Sequence, residues 1–361
     1  MTVRVNRAGR VRPARLTDLA ALGDLSRLSH SLADDPEARP VRSLGLPVNA
    51  SHVSVFSLFR MPLGAFQPHD PLYVYEEAGR LAGLARVERD AHRDEWTIVE
   101  LDAVDHGDAG DIRFRLVQHL LRDGQKRGAE RFHVACADTD GNVELFMQAG
   151  FARYGEELIL YRAPGQPWPA LPSDADAATL RVRPVAPMDA LQLHRLYQAV
   201  TPRPVTRLEG YRLLDWERQG SMWRVPRSSL TPLLRFADVE VFAQECPPES
   251  SPELAGFVQV GVAKEDQPHY VRVVSRPEHD PTDLIRYGLA VIGQRTGEKD
   301  QRRAGSDVPQ GRGVLTAVRT YESPIDRRLA DAGFKQIAQV SLLLRETLVR
   351  VAEPVLVPAV R

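Results

Sequence analysis

The chain has 361 residues, 43% of them hydrophobic and 26% charged, which is longer than one hydrophobic core usually fills and too apolar for a disordered protein. Its 47 basic and 48 acidic residues leave a formal charge of -1, so there is no electrostatic basis for a nucleic-acid partner. Cys136 and Cys246 are far apart and form no CxxC pair, which excludes a disulfide-dense scaffold and a zinc ribbon, and no histidine or cysteine spacing predicts a metal.

In chain order, residues 11–14 read as a short strand, and Thr17 is placed to cap a helix with apolar positions at Leu19, Leu22, Leu25 and Leu28. A proline-bearing stretch, residues 33–47, reads as a long excursion. Residues 73–75 and 81–87 read as a hairpin turning through residues 77–80. A strand from Trp96 then leads through residues 106–110 into a helix carrying Phe114, Val117, Leu120 and Leu121. A strand at 131–135, a helix through Leu145 and Phe146, and a strand around 158–161 complete the order β-α-β-β-β-α-β-α-β. Residues 180–344 give the same order again, with Pro324 suited to a first helical turn.

The two halves also match residue by residue. Arg12, Pro13 and Asp18 match Arg183, Pro184 and Asp189 at a separation of 171, while LAGLARVERD from Leu81 matches LAGFVQVGVAKED from Leu254 at 173. QAGFARYGEELILYR and DAGFKQIAQVSLLLR align Arg162 with Arg345 at 183, so about ten residues enter between; the polar run from Gly293 to Gly313 supplies them and reads as a surface loop. The expected division is a first domain of 1–163, a Pro/Ala-rich linker of 164–178, and a second domain of 179–361.

The opening VRPARLTDLAAL, the strand-to-helix segment after His106 and the NVELFMQAGF block resemble the GNAT-type acyltransferase superfamily. The tandem arrangement is similar to that of bacterial proteins with two such domains, including the mycothiol-synthase class. The resemblance implies an α/β fold, a splayed and mostly antiparallel central sheet in each of two tandem GNAT-like domains. It implies acetyl-CoA as acyl donor and an amine of a small metabolite as acceptor. Homo-oligomerisation is left open. In such a site the unpaired amides of a helix N-terminus receive a pyrophosphate, which here points to His106, Gly107, Ala109 and Gly110, with Arg113 in the first helical turn and a carbonyl-polarising amide at 101–103, around Leu101 and Ala103. The second half offers no glycine at 278–283 and carries Pro281, so the first half is the better cofactor domain.

The family's usual proton-donating tyrosine is matched by Phe146 and Leu329, neither of which donates; Tyr154 substitutes only if its strand turns it inward. Glu100 and Asp102 share strand parity, making Glu100 the leading base and Asp102 its orienter. His133 is a second base candidate, because an ordinary imidazole exchanges its proton near neutrality. Cys136 reads as packing rather than as a nucleophile. Trp216 and Trp223, seven apart, suggest either a ligand-facing wall or an anchoring helix. The loss of the tyrosine and of the second phosphate loop also suits a noncatalytic scaffold. No stretch has membrane length and the start lacks an apolar signal region, so a cytoplasmic address without a membrane partner is expected.

Overall fold

The computed structural model describes residues 9–18, 21–22, 44–47, 71–90, 92–104, 109–139, 141–217, 225–247, 253–264, 267–302, 312–322 and 325–347. The first half runs β1 (Arg10–Pro13), a 3-10 turn at Leu16–Asp18, β2 (Leu72–Glu77), β3 (Arg80–Asp90), β4 (Glu95–Ala103), α1 (Ala109–Lys126), β5 (Arg131–Cys136), α2 (Asn142–Gln148) and β6 (Ala152–Arg162). The second runs α3 (Asp174–Leu180), β7 (Val182–Pro184), a 3-10 turn at Pro187–Asp189, α4 (Ala190–Val200), α5 (Arg203–Glu209) and α6 (Leu213–Glu217). It continues with β8 (Phe236–Glu245), β9 (Leu254–Ala263), β10 (His269–Ser275), α7 (Thr282–Arg302), β11 (Val314–Arg319), a 3-10 turn at Thr320–Glu322, α8 (Ile325–Asp331) and β12 (Lys335–Glu346).

The repeated motifs have a common physical basis. Arg12 donates to Asp18 at 2.6 and 2.9 Å, and Arg183 donates to Asp189 at 2.7 and 2.8 Å; in each half the same carboxylate also accepts the backbone N–H three residues earlier. A bidentate pair of this kind fixes the first strand against the turn that follows it. The glycines of the two LAG motifs sit under helices. A Cβ on Gly83 would lie 2.8 Å from Ile112, and one on Gly256 would lie 2.7 Å from Leu284, so glycine is what lets α1 and α7 approach the sheet. α1 buries Ile112, Leu116, Val117, Leu120 and Leu121 against Trp96, Ile98, Phe132 and Val134, each worth about 1.5–3 kcal/mol of transfer free energy. α7 does the same with Leu284, Ile285, Leu289 and Ile292.

Among the described residues twelve strands form one sheet, ordered β1-β2-β3-β4-β5-β12-β6-β11-β10-β9-β8-β7. Only β4 with β5 and β10 with β11 run parallel. Each half's last strand has moved across: β12 lies between β5 and β6, and β6 pairs with β11. The matched arginines move with their strands. Arg162 donates to the Ala332 carbonyl at 3.2 Å, in the other half's AGF turn, and Arg345 donates to the Ala149 carbonyl in return.

Two local expectations differ from the structure. Helix α7 runs through Gly293 to Arg302 instead of giving way to a loop there, because Gln, Arg, Glu and Lys are good helix formers. The linker is extended only to Ser173, where α3 begins, and Trp168 anchors it by lying beneath the Arg162 guanidinium at 5.1 Å. Of the helix expected after Thr17, Leu19, Leu25 and Leu28 lie outside the described residues, as do Pro324 and most of 33–47.

Candidate active site

The chemistry centres on the place where two parallel strands part. Residues 95–98 of β4 pair with 131–134 of β5, and the ladder then stops. On the other edge of β4, Arg86 faces Glu100 and Val87 faces Ile98, so Val99 is an extra, bulged residue at the fork. From Val99 to Ala103, β4 has no register partner in β5. The bulge resets the alternation: Ile98, Leu101 and Ala103 join the core under α1, and Glu95, Thr97, Glu100 and Asp102 share the opposite face.

At the apex the parting strands border a partly open cleft of about 380 Å³, open solvent included. Thr97, Val99, His133 and Ala135 form its floor, with Leu46 and Tyr154 at the side; Ser228, Ser229, Pro232 and Leu233 come from the second half. Below the floor, Glu95 is buried and lies 2.5 Å from Arg227, 2.8 Å from Arg93, 3.4 Å from His133 and 3.5 Å from Arg131. Burial opposes its charge, but His133, Arg227 and Arg93 outweigh that and hold the carboxyl well below the usual range. Burial, assisted by Arg227, pushes His133 down to about 4 despite the pull of Glu95, so the imidazole is neutral at neutral pH. Its Nε2 faces a carboxylate oxygen, which can only accept, so Nε2 carries the hydrogen and Nδ1 presents a lone pair. Nδ1 is buried and has no hydrogen-bond partner among the described residues.

Glu100 and Asp102 do share a face, in line with Thr97. Glu100 accepts from Arg86 Nε at 3.2 Å and Asp102 is buried. Leu101 and Ala103 turn their side chains into the core, which leaves only their backbone edge to the fork. His106 and Gly107 lie outside the described residues. Ala109 and Gly110 open α1, and a Cβ on Gly110 would meet nothing. Arg113 is buried one turn on and donates to Asn142 Oδ1 at 2.8 Å, tying α1 to the start of α2.

Phe146 is fully buried edge-on to Phe151, with ring centroids 5.3 Å apart. Tyr154, by contrast, faces the cleft, and its hydroxyl donates to Glu209 at 3.4 Å. Cys136 is buried, and burial pushes its thiol up to about 12, which suits packing and not nucleophilic attack. Trp216 is no ligand-facing wall: it is fully buried among Tyr197, Tyr211 and Phe257, because the hydrophobic stripe of this segment serves the core of the second half. Trp223 lies outside the described residues.

The second fork has the same frame and different contents. Residues 269–270 pair with 314–315, and the strands then part. Both glycines of the LAG motifs open matching ladders, and that register makes Arg272 the counterpart of Glu100 and Leu315 the counterpart of His133. Arg272 is fully buried; its guanidinium donates to the Ala317 carbonyl across the fork and pairs with Glu322 at 2.6 Å. At the helix end, Asp280 Oδ1 accepts the Thr282 N–H at 3.0 Å, so a carboxylate already occupies the start of α7.

Several of the site's residues carry no local sequence signal. Arg227 reaches Glu95 across 132 positions of sequence, Ser229 is held by Glu157 across 72, and Arg319 lies buried between Glu157 at 2.7 Å and Glu209 at 2.8 Å. The wide separation of these partners in sequence hides them from any motif. For Arg319 the trace is a charge at the end of the otherwise apolar strand β11.

Two forks in one continuous sheet, each with a helix at its mouth, define a GNAT-like fold used twice. Among solved structures, the chain is similar to a tandem GNAT protein from the clavulanic acid biosynthesis pathway, with a TM-score of 0.53 and 14% identity over 94% of this chain and 98% of that one. It is also similar to a GCN5-related N-acetyltransferase from Sphaerobacter thermophilus, with a TM-score of 0.52 and 13% identity over 94% of this chain and 95% of that one. No protein-family model and no curated protein matches the sequence.

Proposed function

We propose that the first half is an acyl-CoA-dependent N-acyltransferase that moves an acetyl group to the amine of a small metabolite, and that the second half serves as its structural partner. The observation that carries this reading is the contrast at the apex of the forks: Thr97, His133 and residues 228–233 border a cleft at the first, whereas the Arg272 guanidinium spans the second, whose cavity of about 300 Å³ lies against Ser275, Arg276, His279 and Glu322. The residues present suit acetyl-CoA. The unpaired edge of β4 from Val99 to Ala103 suits its amide-bearing arm, and the start of α1 at Ala109 and Gly110 suits its pyrophosphate. When bound, it supplies an activated acyl carbon.

The protein's own groups would then act as follows. An amide of the Val99-to-Ala103 edge polarises the acyl oxygen. Glu100, on the cleft face of β4, accepts the proton lost by the amine through a water molecule, with Asp102 beside it. Tyr154 stands at the cleft wall and brings a phenol to a site whose matched helix position is Phe146. Calorimetric titration of acetyl-CoA and desulfo-CoA into the intact chain tests the reading, since the exchanged strands would leave either half incomplete alone. One saturable site, followed by acetyl transfer to a panel of amines, is expected. Absence of saturable binding would overturn it in favour of a noncatalytic scaffold, the reading that Phe146 and Leu329 favour.

A further inference from the structure

The wall that the second half contributes to the first fork is built rigidly. Arg227 donates to Glu95 at 2.5 Å and to Thr97 Oγ1 at 2.6 Å. The Arg227 carbonyl accepts from Arg319 at 2.8 Å, and the Ser229 N–H is held by Glu157 at 2.8 Å. These ties pin residues 227–233 over the apex.

Its chemistry is selective. Hydrocarbon dominates the lining, through Leu46, Val99, Ala135, Leu233 and Leu342. The one ionised side chain among the described lining residues is Arg227, whose charge Glu95 already meets. A second ammonium on an acceptor would meet a guanidinium and no uncommitted carboxylate in that lining, at a cost that low dielectric increases. Two polar atoms of the lining are buried and have no partner among the described residues: His133 Nδ1 and Ser229 Oγ, on residues 3% and 7% exposed. A buried lone pair left unmet costs about 1–3 kcal/mol, which a ligand N–H recovers.

We infer that the second half selects the acyl acceptor: segment 227–233 closes the first fork around a primary amine on a small, uncharged, hydrocarbon-rich body, whose N–H is received by His133 Nδ1 and whose flank meets Ser229. This rests on the transferase reading for the reaction, but not for binding of the amine. Polyamines, amino sugars and amino acids are disfavoured by the same lining.

The test uses the intact protein with phenethylamine, spermidine and glucosamine as probes. Amine binding is followed by saturation-transfer NMR without coenzyme, and acetyl transfer by thiol release. The expected kcat/KM for phenethylamine exceeds that for spermidine at least 20-fold. Ser229→Ala, which removes one small polar group, raises KM for phenethylamine about fivefold at nearly constant kcat. His133→Gln keeps an acceptor and retains binding, whereas His133→Leu loses it. Pro232→Glu, at a half-buried position of the cleft wall, narrows or reverses the preference over spermidine, with thermal unfolding confirming that each variant is folded. Equal or better use of spermidine by the native protein, or Ser229→Ala without effect on KM, would overturn the inference while leaving the transferase reading standing. Phenethylamine binding that Pro232→Glu abolishes, in a protein that binds no acetyl-CoA, supports the acceptor site and removes the transferase.

Discussion

The two forks share a frame of strands, a helix at the mouth and a packed LAG glycine, yet they differ at the positions where chemistry would occur. In the first, Glu100 shares a strand face with Thr97, His133 stands in the floor, and hydrocarbon dominates the cleft lining. In the second, Arg272 stands at the register of Glu100, spans the gap to Ala317 and pairs with Glu322, while Leu315 replaces His133. Charge reversal at one ladder position replaces a carboxylate and supplies a side chain long enough to span the fork. The fold outlasts that loss because a filled fork packs as well as an open one, and so a shared fold does not make the halves equivalent.

The strongest way to break this comparison is to empty the second fork. Arg272→Met leaves Glu322 buried without its partner and should destabilise the protein by about 3–5 kcal/mol in denaturant titration, with acetyl transfer per folded molecule unchanged. Restored stability in Arg272→Met with Glu322→Leu would show that the pair acts as a plug; a loss of transfer in the single variant would place activity in the wrong half.

The next effect is acid sensitivity centred on His133. In the unfolded chain its imidazole protonates near 6.5, whereas in the fold it does so only near about 4. Between those pH values the unfolded state binds the extra proton, so stability falls as pH drops from 6.5 to 4, by about 3 kcal/mol for this one group. His133→Gln should flatten that slope in unfolding curves recorded across the window. Glu95, whose carboxyl is held low, adds its own loss only as pH falls below the ordinary carboxylate range.

Glu100→Gln should lower kcat about 100-fold with acetyl-CoA affinity within twofold, as expected for loss of a proton acceptor; an unchanged kcat would remove Glu100 from the mechanism. The smallest expected change is at the other helix end. Asp280→Ala should cost about 1 kcal/mol of stability through the lost cap, and calorimetry should still count one acetyl-CoA site, because Arg272 remains in the fork.

Much of this contrast is visible in the residues once the register is known. The repeat, the order of elements and the shared parity of Glu100 and Asp102 follow from hydrophobic periodicity and matched motifs. A constant separation of 173, however, pairs Val99 with Arg272; the bulge at Val99 shifts the strand by one residue and brings Glu100 to that place. A bulge is a choice of backbone at a fork, and the local pattern of apolar residues is compatible with either register.

By itself, the sequence determined that the chain is one α/β unit used twice, that the turn before the helix at 109 is richer in glycine than its counterpart at 278–283, and that Phe146 and Leu329 hold matching helix positions. Those properties reside in local periodicity and in residue identity. The tertiary structure alone decided that β6 and β12 change places, since two apolar strands with the same AGF-to-arginine signature satisfy either half's ladder. It also decided that Arg227 and Ser229 of one half close over His133 of the other. Buried charges are stable only where opposite charges and donors converge on them, and that convergence exists only after the chain has brought distant residues together.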